Sequence, residues 1–221
     1  MSLTLKKGEI LGIGGLSESG MHELGKALFG ASFSRSGTVE TGKGILIDSV
    51  CTAIDNGIAY ASKNRDSESC ILNQSIRDNI CLPSLQELSG KVLISDKVQN
   101  EFAQKYAELM SVKMQDTSQF VSNLSGGNKQ KVVLARWIGK NSDVLILDSP
   151  TRGIDIKVKA DIYALMEKLK AEGKAILMIS EEIMELIGMS DRIIVMKDGT
   201  ISGEFERSEL LSEEDIIKAM V

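Results

Sequence analysis

Three strand-length apolar runs, residues 144–147, 175–179 and 192–196, alternate with segments of helical periodicity, and this alternation constrains the chain more than any other feature. Runs of Val, Leu, Ile and Met without polar alternation belong to strands buried on both faces. Helices expected near 128–138, 156–170 and 181–187 supply the layers that cover them. Buried strands joined through helices imply a largely parallel sheet, and so an α/β fold.

The beginning of the chain has the same order. Glu9-Ile10-Leu11-Gly12-Ile13 reads as a buried strand, and residues 14–20 as a glycine-rich turn into a helix with Leu24, Ala27 and Leu28 on one face. Residues 37–40 and 45–47 flank Thr41-Gly42-Lys43-Gly44 as an antiparallel hairpin. A helix over 50–56, stopped by Gly57, leads into the apolar run 58–61. Residues 75–118 break the pattern: Asp96 is the expected cap of a helix carrying Val98, Phe102, Tyr106 and Leu109, with no strand signal around it. The expected organisation is a single domain over 1–221, with a core at about 4–74 and 119–221 and a helical subdomain at about 75–118.

Composition limits function. The 221 residues, 43% of them hydrophobic, are enough to bury a core of ordinary size. A net charge of -5 gives no electrostatic footprint for nucleic acid. No apolar run approaches the roughly 18 residues of a membrane span, so the chain reads as soluble. Cys51, Cys70 and Cys81 are odd in number and lack metal-ligand spacing, which fits a reducing cytoplasm. Met1-Ser2-Leu3 runs straight into Thr4-Leu5-Lys6 without signal-peptide character, and is either a native start or an expression scar.

In a parallel sheet, ligands bind beyond the carboxyl ends of strands, so the first glycine-rich loop is the first candidate site. Gly12-Ile13-Gly14-Gly15-Leu16-Ser17 half-matches a dinucleotide fingerprint, with Ser17 at the third glycine and Glu40 as a possible ribose acid. Gly15-Leu16-Ser17-Glu18-Ser19-Gly20-Met21-His22 fits the frame of a phosphate-binding P-loop, with Met21 in place of its lysine and His22 in place of its magnesium-binding Ser or Thr. The second segment, Leu124-Ser125-Gly126-Gly127-Asn128-Lys129-Gln130, stands at the mouth of an amphipathic helix, and Val144-Leu145-Ile146-Leu147-Asp148 then ends an apolar strand in a carboxylate.

These segments, with Pro150-Thr151-Arg152-Gly153-Ile154-Asp155 and Gly188-Met189-Ser190-Asp191-Arg192-Ile193, resemble the signature motif, Walker B strand and flanking loops of ABC transporter nucleotide-binding domains. In detail the chain resembles the second cassette of the fused double-cassette proteins of bacterial monosaccharide import, of the ribose, galactose and xylose type. The likeness runs from Lys6 onward and lacks the family's opening strand, which suggests a fragment of a longer protein. It implies a P-loop NTPase-like cassette: a mainly parallel sheet core, an antiparallel β piece and a helical subdomain. The implied cofactors are ATP and Mg. The implied partners are an N-terminal cassette of the same polypeptide, permease subunits and a periplasmic or extracellular sugar-binding protein, at the cytoplasmic face of the membrane.

Carried over by position, Gly15, Ser17, Glu18, Ser19, Gly20, Met21 and His22 form the Walker A loop, and Asp148 is the Walker B carboxylate of the magnesium shell. Ser149 stands where the family has a catalytic glutamate, and Glu181 where it has the switch histidine. Leu124, Ser125, Gly126, Gly127 and Asn128 form the signature, and Asp155 is the D-loop residue near a dimer seam. Phosphoryl transfer needs neutralised charge and a positioned water. Met21 carries no charge, Ser149 is a weak base, and Glu18 opposes each phosphate charge by about 3 kcal/mol at ~6 Å. The expectation is a chain that lends its signature to a partner's ATP site while its own Walker site is impaired. The alternatives are a scaffolding or regulatory module that binds no nucleotide and, more weakly, a nicotinamide-dependent oxidoreductase. His22, the only histidine, is expected at a solvated loop position; Trp137, Met166, Met178 and Met184 in the core; Arg65 and Gln74 facing either a permease or solvent; and 212–215 at a helix start.

Overall fold

Each of the apolar runs forms a strand of one six-stranded sheet in the computed structural model, which describes residues 1–32, 36–89 and 94–221. Strand β1 (Ile10–Gly15) is followed by α1 (Met21–Leu28), α2 (Val50–Asp55), β2 (Ile58–Ala61), α3 (Ile76–Cys81), α4 (Leu85–Leu88) and α5 (Asp96–Leu109). Then come α6 (Gly126–Gly139), β3 (Val144–Asp148), α7 (Ile156–Ala171), β4 (Ala175–Ile179), α8 (Ile183–Met189), β5 (Arg192–Lys197), β6 (Thr200–Glu206) and α9 (Glu213–Met220). The order across the sheet is β2-β3-β4-β1-β5-β6, parallel except for the final β5–β6 pair. The α/β reading and the mainly parallel sheet are therefore observed.

The core follows from the sequence pattern. Ile10, Leu11 and Ile13 of β1 and all of β4 are buried, as continuous apolar strands covered on both faces must be. Helices stop and start where local chemistry directs: the Ser49 side chain caps α2, and Ser212 and Asp215 form a reciprocal capping box at α9. Trp137, Met166 and Met178 lie in the core, but Met184 is exposed on α8.

Three local expectations are corrected. Residues 37–47 form no strand pair; Glu40 and Leu46 make an isolated bridge around the Thr41 turn. The sheet's antiparallel piece is instead β6, whose alternation of half-buried and exposed residues marks an edge strand wet on one face. Asp96 is the first residue of α5 rather than its cap, and it pairs with Arg77 at 3.4 Å. Val98 and Leu109 are exposed, while Ala103 and Ala107 form the buried stripe, because α5 packs through small residues. Its Phe102 ring lies so close to Gly139 of α6 that a Cβ there would stand 2.9 Å away. Residues 90–93 of the 75–118 segment lie outside the described residues.

Candidate functional site

The strand order brings the carboxyl ends of β1, β4 and β3 side by side, so the loop after β1, residues 180–182 after β4, and Asp148 at the end of β3 face a common region. Gly20, with φ of +88°, turns the chain into α1. Gly25 then allows α1 to lie against the sheet: a Cβ there would stand 2.7 Å from Ile179 Cδ1 and 3.3 Å from Tyr60 Cε2. This close approach carries the first turn of α1, with His22, over the strand ends.

His22 is buried, contrary to the solvated position expected of it. Its Nδ1 lies 2.7 Å from Asp148 Oδ1 and its Nε2 lies 3.1 Å from Glu181 Oε1. Each ring nitrogen therefore lies within hydrogen-bonding distance of a carboxylate oxygen, an arrangement that favours the protonated ring. Burial would lower its pKa, but the hydrogen bond to Asp148, the charge of Asp148 and the bond to Glu181 together outweigh burial and hold the group above its ordinary value. Asp148 is 1% exposed. Its other oxygen, Oδ2, accepts from the Tyr60 hydroxyl at 3.1 Å. Burial and the neighbouring Asp148 charge push the Tyr60 phenol well above its usual range, so it stays a donor.

The remaining Walker positions are distributed unevenly. Met21 is fully buried, so its side chain joins the core instead of extending over the loop. Ser17 and Glu18 are exposed, and water screening brings the opposition of Glu18 to a phosphate down from about 3 toward about 1 kcal/mol. Ser19 is buried, its Oγ has no hydrogen-bond partner among the described residues, and it fills the space where a Gly15 Cβ would stand. Ser149 is half-buried in the left-handed region at φ +51°, with its hydroxyl 3.4 Å from Asp148 Oδ1.

Several supporting residues escaped the sequence reading. Buried Glu185 accepts from Thr151 Oγ1 at 2.6 Å and from the Ser180 hydroxyl, tying the loop after β3 to the loop after β4. Tyr60, Thr151, Ser180 and Glu185 sit in stretches whose local pattern spoke only of strand, turn or helix.

The signature segment lies apart. Ser125 is exposed and caps α6, accepting from the Asn128 side chain at 2.9 Å and its backbone N–H at 3.5 Å. The helix therefore begins at Gly126, two residues ahead of the expected start. Gly127 packs on Val158, where a Cβ would stand 3.3 Å from Cγ2, and Leu124 is buried beneath. Asp155 caps α7 from an exposed position, accepting the Val158 N–H at 3.0 Å. Arg65 turns toward α6, its Nη1 3.5 Å from Gln130 Oε1, while Gln74 is exposed. Among the described residues no hydrogen bond joins the 124–128 segment to the 15–22 loop, Asp148 or Glu181.

The dinucleotide alternative does not survive this geometry. Gly12 lies inside β1 under α8, where the Ser190 hydroxyl already stands 2.2 Å from any Cβ, and Glu40 lies outside the sheet. Among the described residues there is also no group of three or more His, Cys, Asp or Glu suited to holding a metal.

A glycine-rich loop between β1 and α1, with a carboxylate closing a strand two places away in a parallel sheet, defines a P-loop nucleotide-binding cassette. The chain belongs to the ABC transporter family, whose profile matches residues 1–152. Among curated relatives it is 46% identical to the ribose import ATP-binding protein RbsA of Clostridium perfringens (strain 13 / Type A), covering 100% of this chain and 44% of that protein. It is 41% identical to a Bacillus cereus protein of the same name, covering 96% and 43%. The chain thus spans less than half the length of these relatives. A dimeric ATP-binding cassette in a post-hydrolysis state with ADP and Pi shares the fold at a TM-score of 0.81 and 22% identity, covering 94% of this chain and 89% of that one. A nucleotide-free ATP-binding cassette from an ABC transporter aligns at 0.80 and 21%, covering 100% and 91%. The family is one of ATP- and magnesium-binding transport ATPases, consistent with the P-loop fold described above.

Proposed function

We propose that this chain is the second cassette of a simple-sugar ABC importer, and that it completes the ATP site of a first cassette while its own Walker site does not hydrolyse ATP. The sugar class is supported by the ribose import proteins it resembles. The proposed partners are an N-terminal cassette of the same polypeptide, permease subunits and an extracytoplasmic sugar-binding protein, with the chain on the cytoplasmic face of the membrane. Among the described residues no helix is long and apolar enough to cross a bilayer, which accords with a peripheral place.

One observation carries the reading: the two halves of the nucleotide chemistry are in opposite condition. Ser125 is exposed at the head of α6 with its oxygen accepting from Asn128, which leaves its hydroxyl proton available to an acceptor from outside. Gly126 is partly exposed there while Gly127 packs on Val158, and the α6 N-terminus favours an anion such as a γ-phosphate. On the Walker side, Met21 brings no charge to neutralise phosphates, and Ser149 cannot take a proton from water as a carboxylate does. Asp148 accepts from His22 on one oxygen and from Tyr60 on the other, and each oxygen keeps a lone pair for a magnesium shell. With His22 in place of the family's hydroxyl ligand, the proposed magnesium binding at this site is weak. ATP without hydrolysis remains compatible with the glycine loop and the helix start at Met21.

Phosphate release from ATP by the purified chain tests this. The expected rate is the background of the buffer; turnover that is lost on Asp148→Asn would reject the reading. A scaffold that binds nothing is the second reading, favoured only by buried Met21, and nucleotide titration of the full polypeptide distinguishes it.

A further inference from the structure

We propose that Glu185, buried on α8, is a positioning residue of the ATP site that this chain completes for a partner cassette: through Thr151 it sets the exposed arc of residues 152–155 beside the head of α6. The inference rests on the proposed function, and it names a residue that holds the signature face in shape.

Glu185 is 6% exposed, and among the described residues no lysine or arginine pairs with it; its partners are hydroxyl groups. Its Oε1 accepts from Thr151 Oγ1 at 2.6 Å and its Oε2 from the Ser180 hydroxyl, while the Tyr163 hydroxyl of α7 hydrogen-bonds with both Thr151 and Glu185. A buried charge without a cation costs stability, and an apolar side chain of similar volume would fill the space without that cost. What the carboxylate adds is two acceptors, one for each loop. Thr151 is the buried foot of the arc: it is 1% exposed, whereas Arg152, Gly153, Asp155 and Ile156 all reach the surface. The far end is fixed by Asp155, whose side chain accepts from the Val158 N–H at 3.0 Å. Between these ends Ile154 is half-buried, and Gly153, at φ +68°, has nothing within 4 Å of where a Cβ would stand. The Gly153 carbonyl nevertheless borders the signature, because a Cβ on Gly126 would stand 3.7 Å from its oxygen. An arc with so little packing of its own takes its place beside Gly126 from its two ends, and Glu185 holds the buried one. Glu185 therefore acts on the signature face through Thr151 and Gly153; it positions and does not react.

The test measures ATPase kinetics of the full double-cassette polypeptide, assembled with its permease in proteoliposomes, with Ser125→Arg as the reference for the proposed function. Thr151→Val keeps the side-chain shape and removes the hydroxyl; Thr151→Ser keeps the hydroxyl. In Thr151→Val, kcat is expected to fall at least about tenfold while the KM for ATP stays within about twofold, because a support displaced by about 1 Å costs rate more than binding. Thr151→Ser is expected to restore the wild-type rate. Glu185→Met removes both acceptors, and Thr151→Val added to it is expected to cost nothing further, as for residues that act as one unit. A wild-type kcat in Thr151→Val, or an equal loss in Thr151→Ser, would overturn the proposal. Fully additive losses would overturn it too, since Thr151 would then act independently of Glu185. A role confined to folding would lower the melting temperatures and leave kcat per assembled complex unchanged, and that result also rejects it. Where Glu185→Met does not assemble, the two Thr151 variants decide. An inactive Ser125→Arg beside a fully active Thr151→Val sinks this inference alone; a fully active Ser125→Arg sinks the proposed function and this inference with it.

Discussion

Ser149 shows what a single position can and cannot repair. Its backbone lies at φ +51°, a left-handed conformation that costs serine and glutamate alike about 1 kcal/mol or more. Ser149→Glu would also set a second carboxylate beside Asp148, whose oxygens already accept from His22 and Tyr60. A positioned base has little to act on where Met21 leaves phosphate charge unneutralised. Phosphate release by Ser149→Glu is therefore expected to stay within about twofold of wild type, since general-base gains of 10²–10⁴ arise only with the rest of the constellation in place. A rise of about a hundredfold would show that residues 18, 21 and 22 matter little. At this scale the sequence offers residue types at family positions, as at Met21, Ser149 and Glu181, and the structure adds where those side chains sit: Met21 buried, Ser149 half-buried and Glu181 exposed. The sequence was not legible at His22 or Tyr60. Whether a polar side chain at a helix start points to water or inward depends on how the helix docks, and that is decided by Gly25, Ile179 and Tyr60 across the sheet.

Helix α6 is where the signature segment is tied to the rest of the fold. Its Arg136 is buried and donates to Asn79 O at 2.6 Å, Ser69 O at 2.6 Å and Asn79 Oδ1 at 2.9 Å, binding α6 to α3 and to the turn that follows β2. Burial pulls the guanidinium down to about 10, still charged at neutral pH. Arg136→Met keeps the stem but removes three hydrogen bonds, of whose acceptors only Asn79 Oδ1 keeps another donor, the Ile71 N–H, and the expected loss is about 3 kcal/mol, read as a lower urea midpoint. Lys97→Ala, which breaks a pair of largely exposed side chains, is the control and is expected to leave the midpoint unchanged. A midpoint equally unmoved in Arg136→Met would mean that water replaces the guanidinium. Elements were readable wherever burial was uniform: β3, β4 and β5 announce themselves as unbroken apolar runs. The edge strand β6, with Gly203 and Glu204 in its middle, carries only half that signal. The 37–47 hairpin failed for the opposite reason. Its turn forms, with Thr41 N–H donating to Ile45 O at 2.9 Å, but among the described residues no neighbouring strand extends the pairing beyond one bridge.

At the scale of the whole molecule, the question is whether the exposed face around Ser125 works on another cassette. Ser125, Gly126 and Asp155 reach the surface, and no hydrogen bond among the described residues turns the 124–128 segment toward the chain's own loop. In the assembled importer, Ser125→Arg would remove the hydroxyl donor and place a long cation at the α6 N-terminus, against its dipole and in the path of a closing partner. The loss of one preorganised donor to a transition-state oxygen alone costs about 10²–10³ in rate, and steric exclusion adds to it. ATPase activity of the full complex, with permease in proteoliposomes, is therefore expected to fall at least about a hundredfold in Ser125→Arg. The control is Asp148→Asn, which keeps a side-chain oxygen to accept from His22 and so avoids leaving a buried imidazole without a partner. It touches only this chain's own Walker site, which is proposed not to hydrolyse ATP, and activity is expected to stay within about threefold of wild type. Equal rates for wild type and Ser125→Arg would leave a scaffold. A severe loss in Asp148→Asn would place catalysis at the very site where this chain offers neither lysine nor glutamate.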